Sequence, residues 1–447
     1  MIALNDLRRE FRPMLRLAVP LALAELGWMA MGIVDSIMAG RIDAASLGAG
    51  SLGSMIFYPI VIAATGMLLG MDTLVAQAHG ANDRFETRRS LIAGLWLAIG
   101  LSPVSILLIV GLMPVLRAVG TNPHVMDLLA PYTDALCWGI PCLMFYAAFR
   151  RYLQAVDIVK PVTFALVSAN LINAFGNWLL MYGHWGFPRM GLEGSGWSTS
   201  ISRLYMAGVL LAAILRHEAK NGKVISAMSW GPDFARIRRL AKLGLPAAGQ
   251  MLFEGGVFGI VTVLAGTLDE ISLAAHSIAV QVIATTFMVP LGISSAAAVR
   301  VGQAVGRKDP RGAATAGWTA LLLSTMFMGC AGIALALAPS FIVRLFIDNA
   351  AVIATGAVLV RIAALFELFD GFQIVSTGAL RGAGDTRTPM LAHLIGYWAL
   401  GLPVIYVLCY PLHWGVSGIW VGLTAALILI GVILVIAWKR AVTLLPR

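Results

Sequence analysis

Twelve apolar runs of about 20 residues or more follow one another along the chain, separated by short polar segments. A helix of that length crosses the roughly 30 Å hydrocarbon core of a bilayer. Because hydrocarbon offers no partner to backbone polar groups, each run is expected to be helical. The runs predict an all-α integral membrane protein with spans at about 14–38, 47–74, 91–115, 124–148, 161–184, 192–215, 240–266, 273–297, 313–338, 351–379, 388–411 and 415–438.

Composition leaves little room for a soluble catalytic domain. Of the 447 residues, 59% are hydrophobic and 12% are charged, whereas soluble domains are about 25% charged. The chain has no G-x-x-x-x-G-K-[ST] phosphate loop, no H-E-x-x-H and no G-x-S-x-G motif. Nor does it show the paired Asp-rich motifs, or a catalytic histidine in a loop, that a membrane prenyl or acyl transferase would need. We therefore expect that the protein is not an enzyme and uses no cofactor. If it transports actively, an ion gradient would have to supply the energy.

The formal net charge of +10 invites a nucleic-acid interpretation, but the distribution of the bases argues against it. If both termini are cytoplasmic, most of the 32 lysines and arginines fall in cytoplasmic loops. This asymmetry is the one that orients membrane proteins during insertion. The excess charge therefore predicts topology, with both termini cytoplasmic, and we expect no nucleic-acid partner.

The two halves of the chain repeat each other. A shift of 226 residues aligns the Leu-Ala-Val-Pro that ends at Pro20 with the Leu-Gly-Leu-Pro that ends at Pro246, and three further blocks align at the same shift. Each half holds six spans, and an even number makes the halves parallel repeats. We predict six-helix bundles at 1–215 and 240–447, joined by a basic cytoplasmic linker at 216–239 that ends in a short interfacial helix.

Among the acidic residues inside apolar runs, three stand out, namely Asp35, Glu254 and Asp370. Inserting such a residue at the centre of a membrane helix costs about 2.5–3.5 kcal/mol, so it usually faces a cavity, a partner or a cation. None of the three has an acidic counterpart in the other half of the repeat. Packing residues would be shared by both halves, so these acids are interpreted as functional additions to a duplicated scaffold.

Polar residues in the fifth span predict a first site with Asp35. Asn170, Asn173 and Asn177 are spaced by three and four residues, which places them on one helical face. If the first and fifth spans are neighbours, these amides can lie beside the Asp35 carboxylate, where they would help to bind a sodium ion or a proton. The alternative is that they only make polar contacts between helices.

The tenth span predicts a second site, because Glu367, Asp370 and Gln373 recur at intervals of three. Carboxylates brought together in a low dielectric bind a cation or share a proton, so we expect Glu254 and Asp370 to do so. For Glu367 the alternative is a salt bridge to Arg361.

Other residues near the acids suggest a binding pocket and a hinge. Pro20 removes a helical hydrogen bond and can bend the first span, which could move Asp35. Arg203, within the sixth span, is expected to extend toward the membrane surface. Aromatic and methionine side chains would line a pocket for a lipophilic cation together with Asp35 and Gln373, or else form core; they are Trp28, Met31, Phe253, Phe287 and Phe366.

Three segments carry a resemblance to a known family: Asp35-Ser-Ile-Met-Ala-Gly, the eleven residues from Met71 to Ala81, and the ten from Leu380 to Pro389. Together with the duplicated twelve-span layout, these segments resemble those of the multidrug and toxic compound extrusion (MATE) transporters. The combination of the three acids resembles that of the bacterial NorM branch. The resemblance implies two six-helix bundles in a V around a central cavity. It also implies alternating-access export of cationic lipophilic drugs and dyes in exchange for Na⁺ or H⁺ across the bacterial inner (plasma) membrane.

The resemblance also implies roles for individual residues. Asp35, Asn173, Asn177 and Thr199 would form a cation and proton cluster in the first lobe, Glu254 and Asp370 would form a cation site in the second, and Pro20 would be the bending proline. The three acids would be the Na⁺ ligands if sodium is the coupling ion. Phe366 stands where many NorM relatives have tyrosine.

The expected partners are small cationic drugs and membrane lipids, and we expect a monomer. The main rival function is a lipid-linked oligosaccharide flippase of the related superfamily. Such a flippase needs a basic cavity for pyrophosphate, whereas the residues singled out above are acidic.

Overall fold

Helices make up the computed structural model, which describes residues 4–220 and 230–444 and contains no strand within them. The predicted all-α membrane fold is confirmed. The helices are α1 Leu4–Gly40, α2 Ala44–Met67, α3 Gly70–Gly80, α4 Arg84–Ala118, α5 Pro123–Trp138, α6 Ile140–Ala155, α7 Lys160–Leu180, α8 Leu192–Lys220, α9 Phe234–Gly266, α10 Glu270–Gly306, α11 Pro310–Leu337, α12 Pro339–Arg344, α13 Ala350–Ala383, α14 Arg387–His393, α15 Leu402–Cys409 and α16 Gly415–Leu444.

The described residues contain eleven helical segments that are long and apolar enough to cross a membrane, or twelve if the bent pair α5 and α6 is one span. That pair is bent by 42°. The second span consists of α2 and α3, and the eleventh passes through a π-helical segment, Leu394–Gly401, between α14 and α15. The sequence therefore predicted the spans, but it did not reveal where they are broken.

The helix starts preserve the 226-residue repeat. Asp43 and Asp269 have extended backbones and accept the backbone N–H of Ser46 and Ser272 at 2.6 and 2.7 Å. The backbone N–H of Ser46 lowers the pKa of Asp43, and the Ser272 hydroxyl and backbone N–H lower that of Asp269. Equivalent residues thus cap equivalent helices, as N-cap carboxylates do.

The chain divides into two compact units, and the boundaries between them fall inside α1 and α9. One unit runs from Leu23 to Ala248, and the other combines the residues up to Ala22 with those from Gly249 onward; we call them the 23–248 unit and the 249–447 unit. The predicted boundaries at 1–215, 216–239 and 240–447 follow the repeat instead and remain a prediction. Within the linker, 221–229 lies outside the described residues.

One expectation about the first helix of the second half is wrong. The segment from Asp233 does not form a separate interfacial helix, because α9 begins at Phe234 and continues into the span. Pro20 and Pro246 lie inside α1 and α9. The charged residues of this segment are accommodated because α9 begins before the apolar run at 240–266.

A close helix crossing follows each of these prolines. In the 23–248 unit, a Cβ added to Gly66 would lie 2.8 Å from the Cα of Ala248. In the 249–447 unit, a Cβ on Gly292 would overlap the backbone of Ala22. Small residues let membrane helices approach closely enough for van der Waals packing, so the repeat has kept one such crossing per unit.

We therefore expect Gly66→Ala and Gly292→Ala each to destabilise the protein by about 1–3 kcal/mol, the usual cost of overpacking. Gly259 is the matched control, since a Cβ there would meet no atom within 4 Å. Thermal denaturation in detergent measures the difference. Melting of the two crossing variants at or above the temperature of Gly259→Ala would contradict the close crossing.

Candidate functional site

Asp35 is held by an amide and a hydroxyl within the 23–248 unit. Its Oδ1 accepts a hydrogen bond from Nδ2 of Asn177 at 2.6 Å, and its Oδ2 accepts one from Oγ1 of Thr199 at 3.2 Å. Asn177 is fully buried and Asp35 is partly buried. The structure thus places α1, α7 and α8 side by side, with their polar residues in contact.

The spacing of the asparagines completes this first cluster. Asn173 donates to Oγ1 of Thr199 at 3.3 Å and accepts from Asn177 at 3.4 Å. Close packing of α7 on α8 makes this possible, since Ser198 donates to the backbone carbonyl of Asn173 at 2.8 Å. Among the described residues, the buried Oδ1 of Asn177 has no hydrogen-bond partner. An oxygen acceptor is therefore available beside the carboxylate.

Two other polar residues of this unit are not part of the cluster. Asn170 donates to the backbone carbonyl of Gly27 at 3.0 Å, so it joins helices. Arg203 does not extend toward the membrane surface, and that expectation is wrong. Its side chain is buried, donates to the carbonyl of Leu136 at 3.3 Å and lies 4.7 Å from the centre of the Phe57 ring. The ring face and the carbonyl replace water around the charge.

Glu254 and Asp370 meet in the 249–447 unit through one amide. Nε2 of Gln373 donates to Oε1 of Glu254 at 2.9 Å and to Oδ1 of Asp370 at 3.0 Å. Nε2 of Gln250 donates to the other oxygen of Glu254 at 2.7 Å. Amide N–H groups therefore stabilise both carboxylates without cancelling their charge.

Two further residues, His393 and Gln250, belong to this second cluster and were not predicted from the sequence. His393 lies with its Nε2 2.9 Å from Oε1 of Gln373 and 3.7 Å from Oε2 of Glu254. Gln250 lies one helical turn before Glu254, a spacing that could have revealed it. His393 carried no such signal, because it stands alone in the apolar run of the eleventh span.

Glu367 does not pair with Arg361, so that alternative is wrong. Glu367 is fully buried and accepts a hydrogen bond from the hydroxyl of Thr286 on α10, whereas Arg361 is exposed. The two side chains lie on different faces of α13, because six residues do not make a whole number of turns.

A cavity of about 190 Å³ opens beside the two acids of this unit. Its other lining residues are apolar, and they are Phe258, Val280, Ile283, Ala284 and Phe287. Phe287 was among the predicted pocket residues, whereas Phe258 was missed. A cavity lined by two carboxylates and by aromatic rings suits a lipophilic cation.

The remaining predicted pocket residues pack against other rings or lie in the core. Phe366 is 1% exposed and contacts Phe258 and Trp420. Phe253 contacts Trp398, Trp28 stacks on Tyr146, and Met31 lies in the core of the 23–248 unit. Each of these contacts fits the core alternative.

In the part of the chain that the structure describes, no lysine or arginine forms an ion pair with Asp35, Glu254 or Asp370. The same residues contain no group of three or more His, Cys, Asp or Glu side chains arranged to hold a metal ion. The carboxylates of both clusters, and the unpartnered amide oxygen of Asn177 in the first, are oxygen ligands of the kind that suits hard cations such as Na⁺.

Comparisons with known proteins agree with this architecture. The MatE family profile matches the chain twice, over residues 20–179 and 246–407. The matches begin at the two equivalent prolines, which confirms the predicted duplication.

Named relatives cover nearly the whole chain. The probable multidrug resistance protein NorM of Mesorhizobium japonicum is 36% identical, over 99% of this chain and 96% of that protein. The protein of the same name from Brucella suis is 34% identical, over 98% and 94%. The solved structure of an outward-facing multidrug resistance MATE family transporter has a TM-score of 0.87 and 17% identity, covering 98% of this chain and 96% of that one. That structural likeness concerns the fold.

The geometry around Asp35 predicts that Thr199→Val destabilises the protein by about 1–3 kcal/mol, because Asp35 and Asn173 each lose a buried partner. Thr199→Ser keeps the hydroxyl and should melt close to the parent protein. The control is Thr65→Val, since the Thr65 hydroxyl donates to a carbonyl of its own helix at 2.8 Å. Equal melting temperatures for Thr199→Val and Thr65→Val in detergent would contradict the contact.

Proposed function

The chain belongs to the MatE family of transporters, and from that premise we propose that it is a secondary active multidrug efflux antiporter. It exports cationic lipophilic drugs and dyes in exchange for Na⁺ or H⁺. It is a multi-pass membrane protein; we place it in the bacterial inner membrane as a monomer surrounded by lipid, with both termini cytoplasmic. The observation that carries the proposal is that, among the described residues, the carboxylates of Asp35, Glu254 and Asp370 are held by side-chain amides and form no ion pair with lysine or arginine.

Asp35 is the coupling residue of the first site. A carboxylate that is not paired with a fixed base gains most from a mobile cation or a proton. The unpartnered Oδ1 of Asn177 supports this role, because an incoming cation or the O–H of a protonated carboxyl would satisfy it. Asn173 and Thr199 orient the cluster through the hydrogen bonds described above.

Glu254 and Asp370 form the second site, and the cavity beside them gives it a second use. The apolar wall that includes Phe287 can take the body of a drug, while the acids face its positive charge. A coupling cation and a cationic drug then compete for the same negative charge. Because binding coupling is reciprocal, each ligand weakens the other, which is the requirement for exchange.

Pro20 is the proposed hinge of α1. It lies fifteen residues before Asp35 in the same continuous helix, and the backbone hydrogen bond that it removes makes bending easier at that point. A change of charge at Asp35 can thereby be accompanied by a change in the path of α1.

An oligosaccharide flippase is the less favoured function. Its substrate carries a pyrophosphate, which requires lysine or arginine in the cavity. The two charged residues that line the cavity of the 249–447 unit are both acidic.

The proposal predicts that Asp35→Asn lowers drug efflux at least tenfold, because the amide cannot bind and release a cation or proton. Ethidium efflux from proteoliposomes measures the loss, and yield and melting temperature confirm folding. Asp127→Asn, at an exposed position of α5, should retain full activity. Unchanged efflux in Asp35→Asn would remove this residue from the mechanism.

The same proteoliposomes identify the coupling ion. We expect an inward Na⁺ gradient or an inward proton gradient, imposed separately, to accelerate dye efflux, and Glu254→Gln to reduce that acceleration because one site carboxylate is lost. Empty liposomes give the background rate. If neither gradient accelerates efflux by the wild-type protein, the antiport mechanism is wrong.

A further inference from the structure

The eleventh span changes helix type directly after His393. The residues Leu394–Gly401 form a π-helical segment, and the backbone N–H of Leu402 reaches the carbonyl of Tyr397 five residues earlier. Pro403 follows, and it has no N–H to continue the α-helical pattern. Such π segments are rare and are frequently found at functional sites. Here the segment begins where the chain passes the second carboxylate cluster.

The ring of His393 has an oxygen acceptor beside each nitrogen. It is fully buried, its Nδ1 lies 2.8 Å from the carbonyl oxygen of Pro389, and its Nε2 lies 2.9 Å from Oε1 of Gln373. A carbonyl oxygen and an amide oxygen can only accept hydrogen bonds. A neutral imidazole carries one N–H. In the tautomer with that hydrogen on Nε2, His393 donates to Oε1 of Gln373.

Holding Oε1 of Gln373 determines where its nitrogen points. The terminal amide torsion of glutamine is soft and roughly two-fold, so a free amide could turn either end toward the acids. With the oxygen held by His393, both hydrogens of Nε2 face carboxylates, one on Glu254 and one on Asp370.

We propose that His393 is a positioning residue that fixes the amide orientation of Gln373 and thereby sets how tightly the Glu254–Asp370 site holds its cation. The inference rests on the proposed function, because it concerns the coupling site of that antiporter. His393 itself touches no cation in this scheme and acts through Gln373.

Trp398, on the π-helical segment, contacts α9 beside Glu254. Its Nε1 donates to the backbone carbonyl of Phe253 at 3.0 Å, one residue before Glu254. A Cβ on Gly256 would lie 2.9 Å from the Trp398 ring, so the indole packs directly on α9. The eleventh span thus contacts both helices that carry the acids, through His393 to α13 and through Trp398 to α9.

The orientation of the Gln373 amide is expected to weaken cation binding at this site. The two N–H groups of Gln373 stabilise the empty, negatively charged site and occupy one oxygen of each acid. A released amide could instead turn its oxygen toward the cation as a further ligand. Both effects make the cation bind more tightly when His393 is removed, and slower release then lowers the maximal rate.

The test compares His393→Phe with His276→Phe in proteoliposomes. His276 is equally buried in the same unit, but it contacts Trp420 and Thr262. We expect the half-saturating Na⁺ concentration, or the half-saturating proton concentration if only a pH gradient drives efflux, to fall about tenfold in His393→Phe and to stay unchanged in His276→Phe. His393→Gln should restore much of the wild-type value, because its amide can donate to Gln373.

A double variant separates positioning from a general loss of structure. Because His393 acts through Gln373, we expect His393→Phe combined with Gln373→Leu to resemble Gln373→Leu alone. Additive effects, or a His393→Phe variant that behaves like His276→Phe, would overturn the proposal.

Infrared spectroscopy gives a readout that does not need transport. The carboxylate stretching band that Glu254→Gln or Asp370→Asn removes should shift in both His393→Phe and Gln373→Leu, and should stay in place in His276→Phe. An unshifted band in His393→Phe would overturn the positioning role. If wild-type protein shows no cation-driven efflux while the band shifts as expected, the antiport function fails and the positioning role stands.

Discussion

A carboxylate held by amide N–H groups inside an apolar helix is the interaction on which the proposed mechanism depends. An amide donor stabilises the ionised acid, yet it leaves the net charge in place for a mobile ion. A fixed lysine or arginine would neutralise the acid permanently. Asp35 accepts a hydrogen bond from the amide of Asn177, and Glu254 and Asp370 each accept one from the amide of Gln373. These hydrogen bonds thereby keep a negative charge available within the membrane, where an isolated charge is energetically unfavourable.

Two other acids of the 23–248 unit have different partners. Glu25, ten residues before Asp35 in α1, pairs with Arg150, and Asp72 pairs with Arg151 at 3.3 Å. These pairs join helices, and breaking one would leave a buried charge without a partner, which costs far more than the pair contributes. The distinction between a structural acid and a coupling acid thus lies in the neighbour, arginine in one case and amide in the other.

Duplication explains why the two clusters differ within one scaffold. The caps at Asp43 and Asp269 and the helix crossings at Gly66 and Gly292 were kept in both halves because both halves must form the same helices and the same close contacts. The acids were not kept, so each half places its carboxylates differently. One half uses α1, α7 and α8, and the other uses α9, α13 and the eleventh span.

The helices, the repeat and the three acids could be predicted from the sequence, because hydrocarbon forces each apolar run into a helix and penalises each charge within it. The spacing of Asn173 and Asn177 even indicated the face that meets Asp35. Which helix supplies each partner was decided by the tertiary structure alone. Thr286, not Arg361, reaches Glu367, and His393 joins its cluster from a span whose sequence shows only apolar residues around it. Periodicity records which side of a helix is polar, whereas packing determines what that side touches.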